Sequence, residues 1–129
     1  MKYAITSYIL FLFIVTLFSC SKVNTLDTTA PSLYIVTPLQ NDTLSTKEIA
    51  IQFKVTDNEE LASETLSILD EQNNILYTET KSIYGTSYSY TNSIEIGGTN
   101  QTKRLNIKID CSDKASNTTT NTISFLVKI

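Results

Sequence analysis

Histidine and tryptophan are absent from this 129-residue chain, and glycine (three), proline (two), cysteine (two) and methionine (one) are scarce. Without an imidazole there is no Ser-His-Asp or Cys-His nucleophile pair, no His-ligated zinc and no His general base, because each needs a ring nitrogen titrating near neutrality. Positive charge is also in short supply: ten Lys and Arg stand against thirteen Asp and Glu, for a net charge of -3. The basic residues form no cluster, which argues against electrostatic capture of nucleic acid. What abounds is Ser, Thr and Asn, roughly a third of the residues, side chains that compete for backbone hydrogen bonds in helices and suit solvated strands and turns. The length is that of one domain, and an all-β fold is expected.

The first residues follow a different pattern. Met1, Lys2 and Tyr3 precede an almost unbroken apolar stretch from Ala4 to Phe18. One positive charge before about 15 apolar residues fits the hydrophobic region of a signal peptide, whereas a bilayer-spanning helix needs about 20. The stretch closes on Leu17-Phe18-Ser19-Cys20, which resembles the lipobox of bacterial lipoproteins. The residues taken alone also admit an ordinary cleaved signal with an incidental Cys20, or an uncleaved anchor helix. The resemblance implies a signal peptide over 1–19, a lipid anchor and tether over 20–29 with Cys20 as the lipidated N-terminus, and a domain over 30–129. Membrane attachment through three acyl chains would be essentially permanent, because burial is worth about 0.8 kcal/mol per CH₂. Ser21 follows the Cys where an Asp would resemble an inner-membrane retention signal. The expected residence is therefore the outer membrane on its periplasmic face, with the cell surface as the other option. An acylated Cys20 leaves Cys111 without a disulfide partner, and Cys111 falls on the apolar phase of a strand, as a buried structural thiol does.

From Ser32 onward the dominant signal is period-two alternation. Ile49, Ile51, Phe53 and Val55 share one face of a strand whose other face carries Glu48, Gln52 and Lys54. The pattern recurs with Leu105, Ile107, Ile109 and Cys111, and again with Ile123, Phe125, Val127 and Ile129. Weaker strands are predicted over 33–36, 65–69, 75–80, 84–90 and 93–96, with turns over 38–42, 70–74, 97–98 and 113–117. Glu59-Glu60-Leu61-Ala62 could start a short helical turn. Seven or eight short strands in about 100 residues predict an antiparallel two-sheet sandwich, since a single sheet would leave its apolar face in water. Ile51, Phe53, Ile107, Ile109, Phe125 and Val127 are expected at its centre.

Three segments carry a family resemblance: Asp27-Thr28-Thr29-Ala30-Pro31, Val55-Thr56-Asp57-Asn58-Glu59-Glu60-Leu61, and Ile109-Asp110-Cys111-Ser112-Asp113-Lys114-Ala115-Ser116-Asn117. Together they look like bacterial immunoglobulin-like domains, closest to lipoproteins that carry one such domain. Ser116 stands where those families customarily have Gly. The resemblance implies an immunoglobulin-like β-sandwich and says almost nothing of activity; the paired cysteines and buried Trp of antibody domains are missing.

Two constellations are candidate sites. Asp57, Asn58, Asp110 and Asp113 could converge at one end of the sandwich and chelate calcium, which wants six to eight oxygens. No EF-hand spacing supports this, and solvated acidic loops are the commoner explanation, so no cofactor is the first expectation. Tyr84, Tyr88 and Tyr90 would share one face of a single strand, a platform for sugar rings or for a protein partner, although tyrosines are ordinary strand formers too. No carboxyl is embedded in an apolar run that would raise its pKa, and so small a sandwich has little room for a cleft, so no enzyme is expected. The chain reads as a non-catalytic binding or structural module of the bacterial envelope whose partner is an envelope protein or a glycan. The alternative is a carbohydrate-binding module of a polysaccharide-utilisation or adhesion system.

Overall fold

The computed structural model describes residues 26–96 and 101–128. The signal peptide, Cys20, the Gly97-Gly98 turn and Ile129 lie outside the described residues. Within them are eight strands and no helix: β1 (Ser32–Thr37), β2 (Thr43–Leu44), β3 (Glu48–Thr56), β4 (Leu61–Leu69), β5 (Ile75–Ser82), β6 (Ser87–Glu95), β7 (Lys103–Asp113) and β8 (Thr118–Val127). They form two sheets, one ordered β1-β3-β6 and the other β2-β8-β7-β4-β5. Every pairing is antiparallel except that of β2 with β8, which is parallel and so departs from the all-antiparallel expectation.

Alternation builds both inner faces. Ile49, Ile51, Phe53 and Val55 of β3 meet Leu105, Ile107 and Ile109 of β7 and Phe125 and Val127 of β8 in one core, all at most 2% exposed. Burying an aliphatic or aromatic side chain of this size contributes about 1.5–3 kcal/mol, and this layer is the main attraction between the sheets. Cys111 is buried beside it, and burial pushes its thiol up to about 12, so it is no nucleophile near neutrality.

Two turns share one chemistry. Asp70 and Asp113 each accept, on one carboxylate oxygen, the backbone N–H of the Asn four residues on (Asn74 and Asn117, both 2.8 Å). On the other oxygen each accepts that Asn's side-chain amide, at 2.8 and 2.7 Å. The residue before the Asn turns left-handed in both, Asn73 at φ 64° and Ser116 at φ 71°. The left-handed conformation thus stays on Ser116 itself, since the Asp-Asn clamp over-determines the turn although a Cβ there is unfavourable.

No helical turn forms over Glu59-Glu60-Leu61-Ala62, the stretch where the sequence left one open. Asp57 Oδ2 takes the N–H of Glu59 (3.0 Å), and the N–H groups of Asp57 and Leu61 go to the carbonyls of Thr86 and Gly85. β4 then begins at Leu61, four residues earlier than predicted. The two segments predicted over 84–90 and 93–96 are one strand, β6, that starts only at Ser87.

Candidate functional site

The end of the sandwich where β3 stops, β7 stops and the chain enters β1 collects acidic groups. A carboxylate oxygen from each of Asp27, Asp57 and Asp113 lies within 4.8 Å of the others. Asp113 is 3% exposed. Asp57 Oδ1 is sealed from solvent without a hydrogen-bond partner, while Oδ2 holds Glu59. Asn58 donates its amide to Asp27 Oδ1 at 3.0 Å; the N–H of Thr29 foremost, and then Asn58, hold the Asp27 carboxyl below its usual range. Of the four residues expected to converge, Asp57, Asn58 and Asp113 do so. Asp110 does not, because its side chain is on the outer face of β7, where it pairs with Lys108 at 2.9 Å and accepts the Thr120 hydroxyl. Burial pulls the Asp110 carboxyl up, but Thr120 and Lys108 outweigh that and keep it low. Asp27 replaces it, brought from the chain before β1. Asp27, Asp57 and Asp113 are the residues that could hold a hard cation, whose oxygen ligands would be carboxylates of this kind.

Asn117 ties this end together. Its amide donates to Asp113 Oδ2 at 2.7 Å, to the Asp27 carbonyl at 3.2 Å and to the Thr29 carbonyl at 3.4 Å, and Thr119 donates its hydroxyl to the Pro31 carbonyl. Residues 27–31 are therefore fastened to the domain, which shortens the tether expected over 20–29. Replacing Asn117 by Ala leaves these acceptors unpaired and is expected to cost about 1–3 kcal/mol, measured by thermal unfolding of wild type and variant.

The second cluster lies on the open side of the sandwich, where β5 edges one sheet and β6 edges the other. No backbone ladder joins these strands; side chains do. Tyr90 of β6 donates its hydroxyl to Glu79 Oε2 of β5 at 2.9 Å, and Tyr77 donates to the same oxygen at 3.3 Å. Lys81 pairs with Glu79 Oε1 at 3.1 Å, and its Nζ sits over the Tyr90 ring, 4.6 Å from the centroid. The Lys81 ammonium first, and then the phenol hydroxyls, hold the Glu79 carboxyl below its ordinary range. Tyr90 stacks on Phe53 with centroids 4.8 Å apart and planes 10° from parallel.

This geometry dismantles the tyrosine platform. Tyr90 is 2% exposed and Tyr88 is half-buried against the core, while Tyr84 is 70% exposed in the turn before β6, beside Gly85 at φ 76°. The three rings do not share an exposed face, because the strand begins too late to include Tyr84 and its inward phase carries Tyr88 and Tyr90.

A buried carboxyl is present against expectation. Glu64 of β4 is 0% exposed, and neither of its oxygens makes a hydrogen bond. Burial pushes its pKa up to about 7, with Lys81 opposing and Glu79 reinforcing the shift; the Tyr88 phenol is close enough to act on it. Its inward phase, shared with Leu66 and Ile68, was the available signal, visible only once the strand extends back before Thr65.

No family model matches the chain, and no curated protein matches it either. Similar solved structures exist at low identity. OgpA from Akkermansia muciniphila superposes with a TM-score of 0.53 at 10% identity, over 78% of this chain and 30% of that one. Its catalytically inactive form in complex with an O-glycopeptide gives 0.52 at 12%, over 84% and 32%. An engineered protein gives 0.52 at 12%, over 77% of this chain and 20% of that one. CopC from Methylosinus trichosporium OB3b gives 0.48 at 14%, over 75% and 94%. The chain thus spans a third or less of OgpA and of the engineered protein, and what it shares with them is the β-sandwich fold.

Proposed function

We propose that this protein is a lipid-anchored, non-catalytic module of the bacterial envelope that holds a protein or glycan partner close to its membrane. The observation that carries the reading is the clamp on residues 27–31 by Asn117 and Thr119. If Cys20 is the acylated terminus, only residues 21–26 separate it from the first fastened residue, and the seven steps from Cys20 to Asp27 reach at most about 25 Å at roughly 3.3–3.6 Å each. Such an arrangement suits a domain that works by position. Cys111, the thiol among the described residues, is buried and offers no exposed nucleophile to such a module. A sugar platform made of Tyr84, Tyr88 and Tyr90 has lost its geometric support, so a glycan partner would need another face.

The lipid link is tested by labelling cells with radioactive palmitate. The wild-type chain is expected to incorporate label and to fractionate with membranes after a high-salt wash. Cys20→Ala is expected to lose the label and most of its membrane association. Unchanged labelling of the variant would refute the proposal.

A further inference from the structure

Glu64 lies directly opposite Lys81 on β5 and Cys111 on β7, so the three form one row across the inner face of the sheet. Cross-strand partners in such a row have Cβ atoms about 4.5–5.5 Å apart, within reach of a lysine that can rotate. The Lys81 ammonium nonetheless serves Glu79, two residues away on its own strand, and the ring of Tyr90 in the other sheet. Lys81 therefore has two anionic partners to choose from, and it holds the one that closes the side of the sandwich. The groups facing Glu64 are Lys81 and Glu79 from β5, Tyr88 from β6 and Cys111 from β7; β3 turns only Ile49, Ile51, Phe53 and Val55 to the core.

We propose that Glu64 is a proton-operated latch: protonated, it leaves Lys81 to clasp Glu79 and Tyr90 across the two sheet edges, and ionised, it draws Lys81 inward and loosens that clasp. A carboxylate with both oxygens sealed and unbonded is costly, so it recruits the nearest donor that can move. Lys81 is that donor, because the Tyr88 hydroxyl supplies one proton and no charge. Of the two links between β5 and β6, the Lys81–Tyr90 contact is lost on ionisation, and the Tyr90–Glu79 hydrogen bond remains without its counter-ion. The elevated pKa of Glu64 puts the transition near neutrality. The open side of the domain is thereby tied to ambient proton concentration while the apolar core between β3, β7 and β8 stays as it is.

The test is an NMR titration of the full chain in detergent micelles from pH 5 to 9, following the Glu64 carboxyl carbon, the Lys81 ε-methylene and the Tyr90 ring. The three are expected to move with one midpoint. Amide protection factors in β5 and β6 are expected to fall about tenfold across it while those of β3 hold. In Glu64→Gln the Lys81 and Tyr90 signals should stay flat over the same range. Lys81→Met, which leaves Glu64 in place, should raise the Glu64 midpoint further and abolish the coupled change at Tyr90. The latch is overturned if Glu64 titrates while Lys81 and Tyr90 do not follow. It is also overturned if Glu64 titrates as an ordinary surface carboxyl, or if the Tyr90 profile survives either substitution.

Discussion

Stability against unfolding is expected to fall by on the order of 3 kcal/mol as the pH rises from 4.5 to about 7 and then to level off, with Glu64→Gln removing most of that fall. In the unfolded chain the Glu64 carboxyl loses its proton near 4.5, while in the fold it keeps the proton until about 7. Over that window the folded state binds the extra proton, so rising pH favours unfolding. The stabilisation is complete below the unfolded pKa and gone above the folded one. Asp27, Asp70 and Glu79 act in the opposite sense, because their carboxyls are held below their ordinary values and stabilise the fold only once ionised. Their share is lost as the pH drops below about 4. The combined profile has its maximum between about pH 4 and 5. Urea denaturation at pH 5, 6, 7 and 8 for wild type and Glu64→Gln measures it, and a variant that parallels the wild type would show that Glu64 is not responsible.

Phe53→Ala is expected to be the most damaging single substitution, at about 3–5 kcal/mol from lost burial and the cavity left behind. Phe53 is 1% exposed and stands where the two halves of the structure meet. It lies in the apolar layer, stacks on Tyr90 at 4.8 Å, and tilts against Tyr88 with centroids 6.4 Å apart. Removing the ring also frees Tyr90, whose hydroxyl and face hold β5, so the loss should exceed that of Phe125→Ala by the roughly 0.5–1.5 kcal/mol an aromatic pair adds. Denaturant midpoints of the two variants decide this, and equal costs would mean that the stack adds nothing.

How much of this was legible in the sequence depends on how local the determining interactions are. In β3, β7 and β8 alternation alone sorts Ile51, Phe53, Ile107, Ile109, Phe125 and Val127 to the core, and all are buried. The Asp113-to-Asn117 turn was readable because its hydrogen bonds close within five residues. β2 was not, since Thr43 and Leu44 pair with Leu126 and Val127, more than eighty residues away. β6 was split because Asn92, on its inward phase, is exposed at the rim, where it donates to the Tyr90 hydroxyl. Of the acidic cluster, Asp57, Asn58 and Asp113 were named from strand ends, but Asp27 comes from the segment read as tether. Asp110 was grouped with them although alternation already turns it outward between Ile109 and Cys111; it lies inside β7, three residues before the strand ends at Asp113, and so never reaches the loop cluster. Glu64 escaped because β4 was begun at Thr65, four residues too late, and a glutamate on the inward phase contradicts the usual polarity of that face.

The proposed work at a membrane on a short attachment is put to the test by neutron reflectometry on a supported bilayer carrying the full-length lipidated protein. The expected result is a protein layer that survives a high-salt wash and begins within about 25 Å of the lipid headgroups, the reach of the seven steps from Cys20 to Asp27. A layer removed by salt, or one standing well beyond that distance, would contradict it.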